Sequence, residues 1–171
     1  MLCLDDVRVH ACGMAMTVRK KLKRGWTRVA TGVKRRRAGS KAVAFLRKQA
    51  ANKSWRCPHG VAWKGHCAHT VACAYGRSYS GWDAYQGWQM TLEKYRRDGR
   101  KMDDPPRGAY CFWKGGSQGY GHVAVSNGRK MIWSNDAPVM GRIGKVPLGY
   151  PRSQWGLTYV GWVWPDEVAG W

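Results

Sequence analysis

Acidic residues are scarce in this chain. Ten Asp and Glu stand against thirty Lys and Arg, which gives a formal net charge of +20, and no acidic residue occurs between Asp6 and Asp83. This imbalance excludes an acidic or neutral surface and favours a polyanionic partner. Anionic cell-wall polymers, nucleic acid and anionic lipid all meet that requirement, and composition alone does not choose among them.

Long apolar runs are also missing. No stretch approaches the roughly 18 apolar residues of a membrane span, and residues 1–16 lack the basic-then-apolar order of a secretion signal. We therefore predict no transmembrane segment and no export by the usual signal. Without a secretory route, the six cysteines are expected to stay thiols instead of forming three disulfides.

The basic charge is concentrated near the N-terminus, where ten Lys and Arg lie between Arg19 and Arg37. Blocks of like charge do not bury themselves, so we predict a basic arm over residues 1–39, either disordered or helical on a surface. Residues 40–171 have the length of one ordinary domain and contain no internal repeat. We predict a single folded domain there.

The apolar spacing in this domain changes from helical to alternating along the chain. Helical spacing predicts helices over residues 40–52, 67–76 and 82–97, each followed by a loop signal. After two prolines, alternation predicts the strands 110–113, 122–126, 131–134 and 157–164, with a hairpin at Asn127-Gly128. Helices that precede an antiparallel sheet define an α+β domain.

The candidate nucleophile is Cys67, which we place at the start of the second predicted helix. Unpaired N–H groups and the helix dipole favour a thiolate at such a position, and the same N–H groups can stabilise an oxyanion. Downstream of His69 the sequence contains only one histidine, His122, at the start of a strand behind the glycine-rich GGSQGYG. Together the two residues predict a cysteine nucleophile with a histidine base.

An ordered series of motifs resembles a known family. GHCAHTVACAYG, GWDAYQGW, PPRGAYCFWKGGSQGYGHVAVSNG, IWSND and WGLTYVGWV are similar in order and spacing to phage-type NlpC-like cell-wall hydrolases, relatives of the CHAP amidases. The resemblance covers roughly residues 40–165. It implies a papain-like fold with Cys67 as nucleophile and His122 as base. The family tyrosine upstream of the nucleophile is missing, because Trp55 and Trp63 stand there.

The resemblance also implies a substrate and a biological setting. The substrate would be peptidoglycan, cut within its stem peptides or at the amide that joins stem to glycan. Such proteins are endolysins, virion-associated lysins or wall-remodelling enzymes. We therefore expect a protein of the phage virion or the host cytoplasm that acts on the cell wall, binds anionic wall polymers and contacts virion proteins.

A third catalytic residue should orient the imidazole of His122, and its identity depends on the strand register. A two- or four-residue hairpin loop leaves Asn135 on the face of His122, whereas a three-residue loop brings Ser134 opposite His122 and puts Asp136 on its face. Both side chains can accept the imidazole N–H. We favour Asn135 and keep Asp136 as the alternative.

Two other functions compete with hydrolysis. Cys57, His59, Cys67 and His69 are competent zinc ligands, but one intervening residue within each Cys-x-His pair strains a tetrahedral site, so we predict no metal and no cofactor. The basic charge and eleven tryptophans also suit a nucleic-acid-binding protein without catalysis, which remains the alternative.

Overall fold

The structure is a computed structural model that describes residues 38–77, 81–99 and 104–168. The predicted basic arm, apart from its last two residues, lies outside these ranges. The described chain forms, in order, α1 Gly39–Ala51, α2 Cys67–Ala74, α3 Ala84–Met90, β1 Arg97–Asp98, β2 Tyr110–Lys114, β3 His122–Gly128, β4 Met131–Asn135, β5 Ile143–Pro147, α4 Tyr150–Trp155 and β6 Thr158–Val163.

The strands form one sheet with the order β1-β6-β2-β3-β4-β5. All five pairings between neighbouring strands are antiparallel. The predicted α+β class, with N-terminal helices packed on an antiparallel sheet, is therefore confirmed at this level.

Helices α1, α2 and α3 cover one face of the sheet. Alternation along β3 directs Val123 and Val125 to this face, where they share a buried cluster with Leu46 of α1 and Val71 of α2. This cluster fixes α2 against β3, so the start of α2 lies near the start of that strand.

The opposite face carries a second buried cluster that includes Trp113, Ala124 and Ile132. The chain covers this cluster with α4, whose Trp155 packs against it. The sequence analysis missed α4, because its six residues are too few to show a helical period. It also missed β5, which pairs with β4.

The third helix is shorter than predicted. It begins after Asp83, whose side chain accepts a hydrogen bond from the N–H of Gln86 at 2.8 Å in a capping box. It ends at Met90, because Thr91 adopts an extended backbone. In the described part of the chain, no helix is long and apolar enough to cross a membrane.

Candidate active site

One cleft brings together all four residues predicted from the sequence. Cys67, His122, Asn135 and Asp136 line this cleft, whose volume is about 510 Å³. The remaining walls come from the residues before α2, from the start of α3 and from the turn before β3. The four residues are close in space, but their contacts differ from the predicted ones.

Cys67 is the first residue of α2 and is partly exposed to the cleft. Burial raises the pKa of its thiol to about 11, although hydrogen bonds from the backbone at Val123 and Ala68 act in the opposite direction. The charge of Asp136 also raises this pKa. The prediction that the helix start favours the thiolate is therefore wrong for the resting protein, because desolvation outweighs the backbone N–H groups.

The backbone turn before β3 fixes His122. Gly121 has a φ of +66°, and a Cβ at this position would lie 2.2 Å from the carbonyl oxygen of Trp113. Only glycine fits such a close approach. The turn places His122 at the start of β3. The next residue, Val123, forms a backbone hydrogen bond with the sulfur of Cys67.

The imidazole of His122 is enclosed by aromatic rings. The ring centroids of Trp155 and Trp113 lie 5.0 Å and 5.8 Å from that of His122. His122 is only 6% exposed, and this burial lowers its pKa to about 3. The imidazole is therefore neutral across the physiological range, which is the form that a general base requires.

The hydrogen-bond partner of the imidazole is Ser134. The Nε2 atom of His122 lies 2.7 Å from Oγ of Ser134, and the same Oγ lies 2.8 Å from the carbonyl oxygen of Asn135. The hydroxyl has one hydrogen, so it donates either to Nε2 or to that carbonyl oxygen, and in the second case it accepts from Nε2–H. Both arrangements hold the imidazole through Nε2.

The predicted orienting role of Asn135 or Asp136 is therefore corrected, since the imidazole bonds to Ser134. The register explains the change. The hairpin turn pairs Gly128 with Met131, but a bulge then pairs Ser126 with Ile132. This one-residue shift moves Ser134 to the face of His122 and Asn135 to the opposite face.

Asn135 and Asp136 bind the loop before Cys67. The amide of Asn135 donates to the carbonyl oxygen of Trp63 at 2.9 Å, and the carboxylate of Asp136 accepts from the N–H of Gly65 at 2.8 Å. Both contacts join the end of β4 to the residues that lead into Cys67.

The residues that could hold a metal lie outside this cleft. Cys57, His69 and Cys73 place their ligand atoms within 4.8 Å of one another, and none of them lines the cleft. The Cys-x-His pairing considered from the sequence included Cys67, which the structure places in the cleft and not in this group. Cys73 was missed, because the packing of the Cys57 loop against α2 is a tertiary contact that the sequence pattern does not show.

Acid should destabilise the fold through His122. The unfolded chain takes up a proton near the ordinary histidine pKa of 6.5, whereas the folded chain resists protonation down to about pH 3. The stability is thus complete above pH 6.5 and falls as the pH drops toward 3, by on the order of 1 kcal/mol per pH unit. Urea unfolding between pH 7 and pH 4 measures this slope.

The matched variant is His122→Gln, which removes the titrating group and should flatten the slope. The other titratable groups that line the cleft are Cys67, His66, Asp83, Tyr120 and Asp136, and they are unchanged in the comparison. Equal pH dependence in both proteins would contradict the effect assigned to burial of His122.

No protein-family model matches this chain, and a search of curated proteins finds no significant match. The function is therefore inferred from the motifs and from the geometry of the cleft.

Proposed function

We propose that this protein is a cysteine hydrolase of bacterial peptidoglycan, with Cys67 as nucleophile and His122 as base. The observation that carries the proposal is the cleft that Cys67 and His122 line together, where the backbone of Val123, the residue after His122, forms a hydrogen bond with the sulfur of Cys67. General-base activation needs the imidazole in its neutral form, which is the form of His122 at physiological pH.

The reaction proposed for this pair is acyl transfer. Nδ1 of His122 accepts the thiol proton while Sγ of Cys67 attacks the carbonyl carbon of the scissile amide. The backbone N–H groups at the start of α2 stabilise the resulting oxyanion. The imidazolium then donates its proton to the leaving amine, and water, activated by the same nitrogen, hydrolyses the thioester.

The arrangement also supports a papain-like fold as part of the proposal. The nucleophile begins a helix packed on the sheet, the base begins a strand, and the residue that orients the base lies on the next strand. Trp155 packs its ring edge-on at 5.0 Å from the imidazole centroid. The placement of Cys67 on a helix and of His122 on a strand supports the fold that the motif resemblance implies.

The substrate is proposed from the motifs and from the surface beside the cleft. The exposed side chains of Trp82 and Tyr120 flank the cleft residues Gly81, Asp83 and Gly121. Flat aromatic faces of this kind pack against sugars and peptide side chains. We propose an endopeptidase or amidase of a phage lysin, held on anionic wall polymers by the basic arm.

Two assays separate hydrolysis from nucleic-acid binding. A suspension of purified bacterial walls should lose turbidity when the protein is added, and a gel shift on DNA at physiological salt tests the alternative. A gel shift without turbidity loss would reject the hydrolase and support the non-enzymatic binder.

Ser134→Ala should lower turnover by about 10-fold or more, because the imidazole loses the group that holds it through Nε2. Asn135→Ala should act mainly on stability, since it removes a buried hydrogen bond worth roughly 1–3 kcal/mol to the loop before Cys67. Wall-hydrolysis rates and melting temperatures of both variants provide the measurement. A normal rate in folded Ser134→Ala would contradict the role of this hydroxyl.

A further inference from the structure

A second group of reactive side chains lies on α2 and on the loop before it, and none of its members lines the cleft. The Sγ atoms of Cys57 and Cys73 and one imidazole nitrogen of His69 are all within 4.8 Å of one another. Both thiols are buried, and His69 is half-buried. Four-coordinate zinc binds Cys sulfur at about 2.3 Å and His nitrogen at about 2.0 Å, so a small contraction of this triangle would close it around one ion.

The local structure explains why these donors converge. His69 and Cys73 are four residues apart in α2, so their side chains share one face of the helix. Cys57 comes from the preceding loop, which folds back on itself through bonds from Cys57 N to Val61 O at 2.8 Å and from Gly60 N to Cys57 O at 2.9 Å. The loop thus places the sulfur of Cys57 beside the helix that contains the other two donors, His69 and Cys73.

The sulfur of Cys57 is already arranged as a ligand. It accepts hydrogen bonds from the backbone N–H groups of His59 and Val61, both at 3.3 Å. Such bonds stabilise a thiolate, which is the form that binds metal, and they orient its remaining lone pairs. This observation is independent of the distances within the triangle.

We propose that Cys57, His69 and Cys73 bind one zinc ion, with water as the fourth ligand. Two thiolates and one imidazole are donors that suit zinc. Binding releases the two thiol protons to solvent and leaves the imidazole neutral. His59 is not a ligand, because its ring nitrogens do not join the described group of donors.

The bound ion links two segments of the chain in this arrangement. It joins the loop that contains Cys57 to the helix that begins with Cys67, and it lies outside the cleft. Occupancy should therefore raise the thermal stability of the loop and α2 without supplying the chemistry of hydrolysis. The proposed zinc site goes beyond the proposed hydrolase function, and neither proposal depends on the other.

The first test is the metal content of the full chain, purified from zinc-supplemented medium. Cys3 and Cys12 lie outside the described residues, so both are replaced by Ser in every protein compared. We expect about one zinc per chain, falling at least about 10-fold in Cys73→Ser.

Matched controls use a cysteine and a histidine outside the triangle. Cys111→Ser removes a buried thiol of the opposite core, and His59→Asn changes the histidine nearest to Cys57 in sequence. Both should retain the ion. Loss of zinc in either control, or its retention in Cys73→Ser, would overturn the assigned ligands.

A second measurement keeps all three ligands and so does not depend on the folding of a variant. Titration of the metal-free protein with Co²⁺ should give visible bands of a tetrahedral ion and near-ultraviolet bands of thiolate coordination, which saturate at one equivalent and disappear when zinc is added. Absence of these bands, or a Cys57–Cys73 disulfide found by mass spectrometry, would overturn the proposal.

Discussion

Cys67→Ala should abolish hydrolysis of purified bacterial walls, with a loss of at least about 10⁴-fold, because no other group in the proposed reaction can form the thioester. The fold should survive, since the change removes only one sulfur atom from a partly exposed position at the start of α2. Turbidity loss measures the activity, and circular dichroism measures the fold.

The matched control is Cys111→Ala, which removes a fully buried thiol from the opposite face of the sheet. It should keep its activity within about twofold at temperatures well below unfolding, because it contacts no part of the cleft. Hydrolysis by pure, folded Cys67→Ala would reject the nucleophile, and equal loss in both variants would mean that stability and not chemistry limits the assay.

Removal of the base should be the next most severe change. His122→Gln should reduce turnover by roughly 10²- to 10⁴-fold, because the amide fills much of the same space but cannot accept the thiol proton. Glutamine is preferred to alanine here, since His122 is packed between Trp113 and Trp155 and a cavity would confuse lost chemistry with lost packing.

The control for this prediction is His59→Gln, an exposed histidine outside the cleft, whose rate should be unchanged. The comparison is made on wall hydrolysis with melting temperatures recorded in parallel. A rate of His122→Gln close to that of the unaltered protein would show that another group accepts the proton.

The helices and strands that carry the cleft could be predicted because their apolar spacing is regular. The start of α2 at Cys67 and the start of β3 at His122 both follow from the change between helical and alternating periods. Short elements such as α4 are too brief for a period to be visible. Trp155 was therefore missed, although it covers the imidazole.

The orienting residue could not be predicted because a contact distant in sequence sets the hairpin. Arg129 and Lys130 form the turn at positive φ, and their N–H groups donate to the carboxylate of Asp104 at 3.0 Å and 2.7 Å. The bulge behind this turn is held by Ser126, whose hydroxyl donates to the carbonyl oxygen of Pro105 at 2.7 Å. Local turn rules had placed the turn at Asn127-Gly128, and they do not include these partners.

The direction of the pKa shift of Cys67 was also predicted wrongly, for a related reason. The pattern at Cys67 shows a helix start, which favours the thiolate, but it does not show how deeply the tertiary structure buries the sulfur. Desolvation of a charge is larger than the effect of a few N–H groups at the end of a short helix. Burial therefore keeps both Cys67 and His122 neutral in the resting protein.

The most direct test of the central claim is mass spectrometry of bacterial peptidoglycan digested with the unaltered protein and with Cys67→Ala. The unaltered protein should release fragments with new ends at amide bonds: a free amino terminus within the stem for an endopeptidase, or a free lactyl end on the glycan for an amidase. The Cys67→Ala sample should contain neither. New amide-derived ends in both samples, or in neither, would contradict the assignment of Cys67 as a peptidoglycan-cleaving nucleophile.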